Sequence, residues 1–357
     1  MFVIDSHAHI YPPIGGRSGY ESVEQHLAIV QRAMHEHLVQ PARNAKTHEI
    51  VPHKQLWDPK DATEKGRKNV GVHVGEYGRL MWTQNGMECY IQYFPPTEKD
   101  LSCPADLLVA LMDYANIDMA VLQCGSLYGN LNDYYAMIVD EHPELSNRLL
   151  PLARINESKA YTDAQIRRLR HTIEKLKLRG LWFAAEESHF SPRYDEFWNE
   201  FEGLGIPVFL AFFPDHNTWM TSVSVLNHWI ERFPHIKCVL PQAFPLSSTG
   251  PEGTFNEIPA WLRSLIVENE IYIELVYPIS RGAIEDYPFP GSAQAVKTLY
   301  DSLGPERLVW GSDVPMVNRY CTYTQSLTCV TKHCSFIGPD DMTQIVGGNL
   351  RRIFSLQ

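Results

Sequence analysis

The chain begins MFVIDSHAHI, with two histidines, His7 and His9, one residue apart at the end of an apolar run. Imidazole is a good ligand for zinc, manganese or iron. Side chains alternate along a strand, so Asp5, His7 and His9 are expected on one face. The plain alternative is a strand end whose polar residues are merely satisfied. A second apolar run, VWGSDVP (309–315), ends in Asp313. Its carboxylate could hold a metal or take a proton from water bound to one. Alone, Gly311-Ser312-Asp313 reads as a turn closed by an Asx hydrogen bond. The two ends together favour a divalent-metal site of His7, His9 and Asp313, with Asp313 also the candidate general base. Zinc is the first expectation, with manganese and iron as alternatives.

These residues need a scaffold that brings the two ends of the chain together. Eight short apolar runs alternate with helix-like stretches: FVIDSH (2–7), DMAVLQ (118–123), RLLPLARI (148–155), LRGLWFA (178–184), IPVFLAF (206–212), IKCVLP (236–241), IYIELVY (271–277) and RLVWGSD (307–313). Such alternation predicts parallel strands joined by helical crossovers. Eight units predict an α/β fold, a (β/α)₈ TIM barrel, in one domain over 1–357. Its eighth strand would lie beside its first, which puts Asp313 next to His7 and His9. A doubly wound sheet would place a glycine-rich turn after strand one, where this chain has His-Ala-His-Ile-Tyr-Pro-Pro. From about 43 to 101 the rhythm breaks into a stretch with Pro52, Pro59, Pro95 and Pro96. We read it as an insertion after the first strand, over the active-site face, with MECYIQYF (87–94) as an extra strand. Its aromatics Trp82, Tyr90, Tyr93 and Phe94 would roof a pocket, form a subunit contact or pack on the barrel.

The pieces DSHAHI, MDYANIDMAVLQ, IPVF, FPHIKCVLP and LVWGSDVP resemble the amidohydrolase-related family of metal-dependent TIM barrels. That branch includes aminocarboxymuconate semialdehyde decarboxylase and hydroxybenzoate-type decarboxylases. The resemblance implies a hydrolase or carbon–carbon lyase acting on a small carboxylate-bearing molecule. It also implies a histidine on each of strands five and six. Here Ala211 and Phe212 occupy the strand-five positions, the nearest histidine is His216, and Gln242 stands near the strand-six position. Gln242 is a weak metal ligand and a candidate substrate contact. Glu274 in IYIELVY is a candidate replacement ligand, though strand phase leaves its face open; the bland reading is a buried carboxylate with its own partner. Glu186 and Glu187 after strand four are further substitutes. Arg319 is placed to bind a substrate carboxylate through paired hydrogen bonds, or is a surface arginine. The missing histidines and the carboxylate-containing set open an alternative, since some family members are iron-containing oxygen-using hydroxylases built from two related chains. This chain would then be a subunit of such an oligomer, as its non-catalytic partner.

The other signals are weaker. The stretch CTYTQSLTCVTKHC (321–334) brings Cys321, Cys329, His333 and Cys334 together, but without paired Cys-x-x-Cys spacing; buried apolar thiols are expected. His35, His37, His48, His53 and His73 read as surface or packing residues, with His53 and His73 able to reach the mouth if the insertion folds over it. The net charge of −11 argues against nucleic acid or an anionic membrane as partner. With no signal-like N-terminus, no long apolar run and seven scattered cysteines, a cytoplasmic protein with reduced thiols is expected.

Overall fold

The computed structural model describes residues 1–36, 40–52, 56–58, 60–61, 63–212, 222–241, 258–276 and 285–356. All eight apolar runs form strands of one parallel sheet: β1 (Ile4–Ala8), β6 (Met119–Leu122), β7 (Leu149–Ala153), β8 (Gly180–Ala185), β9 (Val208–Phe212), β10 (Cys238–Leu240), β11 (Ile271–Leu275) and β12 (Leu308–Trp310). They pair in chain order from β1 to β12, and a single parallel bridge from Ala8 to Val314 brings the two edges together. The result is a nearly closed (β/α)₈ barrel. Strands covered on both faces need apolar residues at successive positions, which is why they read as runs rather than alternations.

Helices lie between the strands. Asp163–Glu174 shows the local logic: Ile166, Leu169 and Thr172, spaced by three, are buried, and an acidic residue opens its first turn. Asp195–Leu204 buries Phe197, Trp198 and Phe201 and ends at Gly205, whose φ of 64° suits glycine. The chain divides into two compact units, the barrel being Met1–Ala8, Ala110–Gln123 and Asn132–Gln357.

The second unit comprises His9–Val109 and Cys124–Leu131. It holds the helix Val23–Glu36 and an antiparallel sheet of β2 (Arg43–Asn44), β5 (Met87–Gln92), β4 (Arg79–Gln84) and β3 (His73–Val74), in that order. The strand expected in MECYIQYF is β5. It pairs with β4 through Asn85-Gly86, both with positive φ, the dipeptide a tight hairpin turn needs. The helix Val23–Glu36 belongs to this unit rather than to the barrel. Its buried Gln31 shows the local tie, donating through Nε2 to the carbonyls of Leu56 and Lys68.

Candidate metal centre

His7 lies near the C-terminal end of β1. Its Nδ1–H donates to Glu274 Oε2 of β11 at 2.7 Å. A carboxylate only accepts, so this bond places a proton on Nδ1 and turns Nε2 toward Asp313, whose Oδ1 is 3.5 Å away. His9 follows one residue after β1, where the chain leaves the barrel. One potential ligand atom each from His7, His9 and Asp313 lies within 4.8 Å of the others, and all three side chains are buried. This is the trio that the two end motifs predict.

The donor set fits a divalent cation. Two ligands of one tetrahedral ion at ~2.1 Å sit roughly 3.4 Å apart, close to the His7–Asp313 separation. The electrostatics agree. Burial alone would pull the His7 imidazole down, but the carboxylates of Glu274 and Asp313 outweigh it and hold its pKa up at about 9. The position beyond Nε2 therefore favours a positive charge.

Glu274 is placed differently from a ligand. It stands behind His7 and takes hydrogen bonds from Ser6 Oγ at 2.7 Å, from Gln123 Nε2 at 2.9 Å and from His7 Nδ1. β11 is not a neighbour of β1; β12 lies between them. The contact passes over Gly311, where a Cβ would come within 2.5 Å of Ser6 Oγ, 3.0 Å of His7 Cβ and 3.3 Å of Glu274 Cδ. A glycine just past a strand is here the gap that lets two carboxylate-linked side chains reach across.

Asp5 does not share the trio's role. Its Oδ1 accepts from the backbone N–H groups of His7 and Ser312, both at 2.9 Å, and its Oδ2 from Ser312 Oγ at 2.5 Å and Tyr323 OH at 2.6 Å. It ties β1 to the segment after β12. Burial pushes its carboxyl up to about 6 against these four bonds. The expected alternation of Asp5, His7 and His9 fails because the β1–β6 register shifts between Asp5 and Ala8, so adjacent Ser6 and His7 both reach Glu274. Asp313 itself has φ 62° and donates its N–H to the His7 carbonyl at 2.8 Å. Aspartate is one of the few residues that tolerate this left-handed backbone.

The remaining candidates are placed as follows among the described residues. Arg319 donates from Nε to the Met316 carbonyl at 3.2 Å and lies against the Tyr320 ring. Gln242, His216, His37 and His53 fall outside the described residues. Ala211 and Phe212 end β9 as buried apolar side chains, and Glu186 and Glu187 are exposed after β8. His73 is exposed, and His48 sits beside Tyr90. The thiols of Cys329 and Cys334 donate to the carbonyls of Pro288 and Cys329, while His333 Nε2 bonds Tyr287 OH. No second metal-type group occurs among the described residues. No described helix is long and apolar enough to cross a membrane. Sequence reasoning named Gly311 and Ser312 only as part of a turn with Asp313, and did not single out Ser6, Gln123 or Tyr323. The only signals were Gln123 closing DMAVLQ and a glycine beside Asp313.

The chain belongs to the amidohydrolase family: a family model described as Amidohydrolase matches residues 4–356. Among solved structures it resembles a probable 2-pyrone-4,6-dicarboxylic acid hydrolase from Acinetobacter baumannii with citric acid bound, at 15% identity and a TM-score of 0.59, covering 100% of both chains. It resembles 2,6-dihydroxybenzoate decarboxylase from Rhizobium at 15% identity and TM-score 0.52, covering 72% of this chain and 90% of that one. A dihydroxybenzoic acid decarboxylase from Polaromonas with bound manganese gives 16% identity and TM-score 0.51, over 72% and 87%. At these identities the likeness speaks for the fold. No curated protein matches the sequence.

Proposed function

We propose that this chain is a metal-dependent hydrolase or decarboxylase acting on a small carboxylate-bearing molecule. The observation that carries the reading is the buried trio of His7, His9 and Asp313, with the His7 tautomer set by Glu274. Family membership supports it, as do hydrolases and decarboxylases among the fold relatives. His7 and His9 would hold the cation through imidazole nitrogen. A divalent cation held there polarises a carbonyl or carboxylate oxygen and lowers the pKa of bound water. Zinc or manganese suits a set of two imidazoles and one carboxylate. Asp313, whose Oδ1 is 3.5 Å from His7 Nε2, would ligate the cation or accept and return a proton at the reacting centre. Arg319, shortly after Asp313, is the candidate contact for a substrate carboxylate, and Gln242 a further one.

The test is turnover by metal-free protein and by protein reloaded with manganese or zinc. The probes are 2,6-dihydroxybenzoate, followed by carbon dioxide release, and 2-pyrone-4,6-dicarboxylate, followed by ring opening. Activity on a carboxylate of this class that needs added metal and vanishes in His7→Ala is expected. Full turnover by metal-free His7→Ala protein would overturn the reading.

One observation favours a second reading. β9 ends in apolar Ala211 and Phe212, and two imidazoles with one carboxylate also suit iron in oxygen chemistry. The chain would then be a subunit of an oxygenase oligomer, its partner a related chain. An isolated chain that is inert until a related chain is added would support this; turnover by the purified chain alone counts against it.

A further inference from the structure

We infer that Glu274 is a positioning residue for the metal centre, and that Ser6 and Gln123 hold it in that role. The inference rests on the proposed metal site and assigns work to three residues outside the ligand trio.

The geometry carries it. Glu274 is 1% exposed and receives side-chain hydrogen bonds from Ser6 and His7 of β1 and from Gln123, the residue after β6. Ser6 Oγ and Gln123 Nε2 both donate to Oε1, at 2.7 Å and 2.9 Å, which leaves Oε2 aimed at His7 Nδ1 at 2.7 Å. Gln123 is itself fixed, because Nε2 also donates to the Ser6 carbonyl at 2.9 Å and its backbone carbonyl accepts from Tyr135 OH at 3.3 Å. The result is a rigid chain from Gln123 and Ser6 through Glu274 to His7. A carboxylate bonded to the distal nitrogen of a ligating imidazole fixes its tautomer and ring angle, and raises its basicity toward the metal. Burying a carboxylate here is costly unless it is hydrogen-bonded. An apolar side chain would fill this place beside Gly311 more cheaply, so a structural role alone gives little reason for the charge. The absence of a side chain at Gly311 keeps the path open.

The experiment measures zinc and manganese affinity by competition with a chromophoric chelator, in wild type, Glu274→Gln, Gln123→Leu and His7→Ala. The melting of each metal-free protein is followed in parallel. The amide of Glu274→Gln keeps the volume but loses the charge and the obligate acceptor. We expect its affinity to fall roughly 10- to 100-fold, with metal-free melting close to wild type. Gln123→Leu should move affinity the same way by a smaller factor, and it keeps the test open if Glu274→Gln fails to fold. A nitrogen-15 spectrum of the zinc-loaded protein should show His7 protonated on Nδ1 in wild type and a mixed tautomer signature in the variants. The two levels separate cleanly. Tight binding that survives His7→Ala would overturn the metal site itself. Loss in His7→Ala, with Glu274→Gln and Gln123→Leu within about twofold of wild type and the same tautomer, would overturn the positioning role alone.

Discussion

Two arcs of the same barrel handle burial in opposite ways. On the arc of β1, β11 and β12, the strand ends bury Asp5, Ser6, His7, Glu274, Ser312 and Asp313, interlocked by hydrogen bonds. On the arc of β8 and β9, the buried side chains are aromatic. Trp198 packs against Phe183 at 5.2 Å and Trp229 at 5.0 Å, and Phe190 stacks on Trp198 and on Phe212, both at 5.8 Å. The second arc is held by area and shape, each such side chain contributing about 1.5–3 kcal/mol. The first arc gains little net stability per bond, but any lost partner strands a buried polar group. One arc therefore carries the proposed chemistry and the other is packed for stability.

Substitutions should break the two arcs differently. The largest effect is expected from His7→Ala, which should abolish metal-dependent turnover and also lower the melting temperature of the metal-free protein, because Glu274 is left buried without its imidazole partner; activity assay and thermal melting check both. Next comes Trp198→Ala, which should cost about 3–5 kcal/mol of stability, read by denaturant unfolding, while the metal-to-protein ratio of the folded fraction is kept. Gly311→Ala lies on the polar arc but acts by volume. Its methyl would collide with Ser6 and His7, costing about 1–3 kcal/mol and weakening metal affinity together, which calorimetry with and without manganese would show. The smallest is Thr322→Ala. Thr322 caps the helix Tyr323–Thr331 by accepting from the Gln325 N–H at 3.1 Å. Its loss should cost about 1 kcal/mol with metal affinity intact, although Tyr323 next to it bonds Asp5.

All eight strands are legible in the sequence, because a buried parallel strand needs an unbroken apolar run. His7, His9 and Asp313 are legible because their side chains carry their own chemistry at telling positions. Glu274 stands out as a charge inside an apolar strand, but strand phase does not say whether it faces a metal or another side chain. Gln123, Ser6 and Gly311 escape such reading. Amide, hydroxyl and glycine acquire a role only through the register that joins β1, β6, β11 and β12, and a register shift in β1 is not written in residue types. The helix Val23–Glu36 teaches the same lesson at larger scale: its amphipathic period predicts the helix, not the unit it packs in.

The measurement that tests the account most directly is anomalous diffraction from crystals of the protein grown with manganese, collected at the metal edge. One strong peak is expected within bonding distance of His7 Nε2, the His9 imidazole and Asp313, with Glu274 still on His7 Nδ1. No peak there, or a peak elsewhere with the His7 and Asp313 side chains in direct contact, would contradict it.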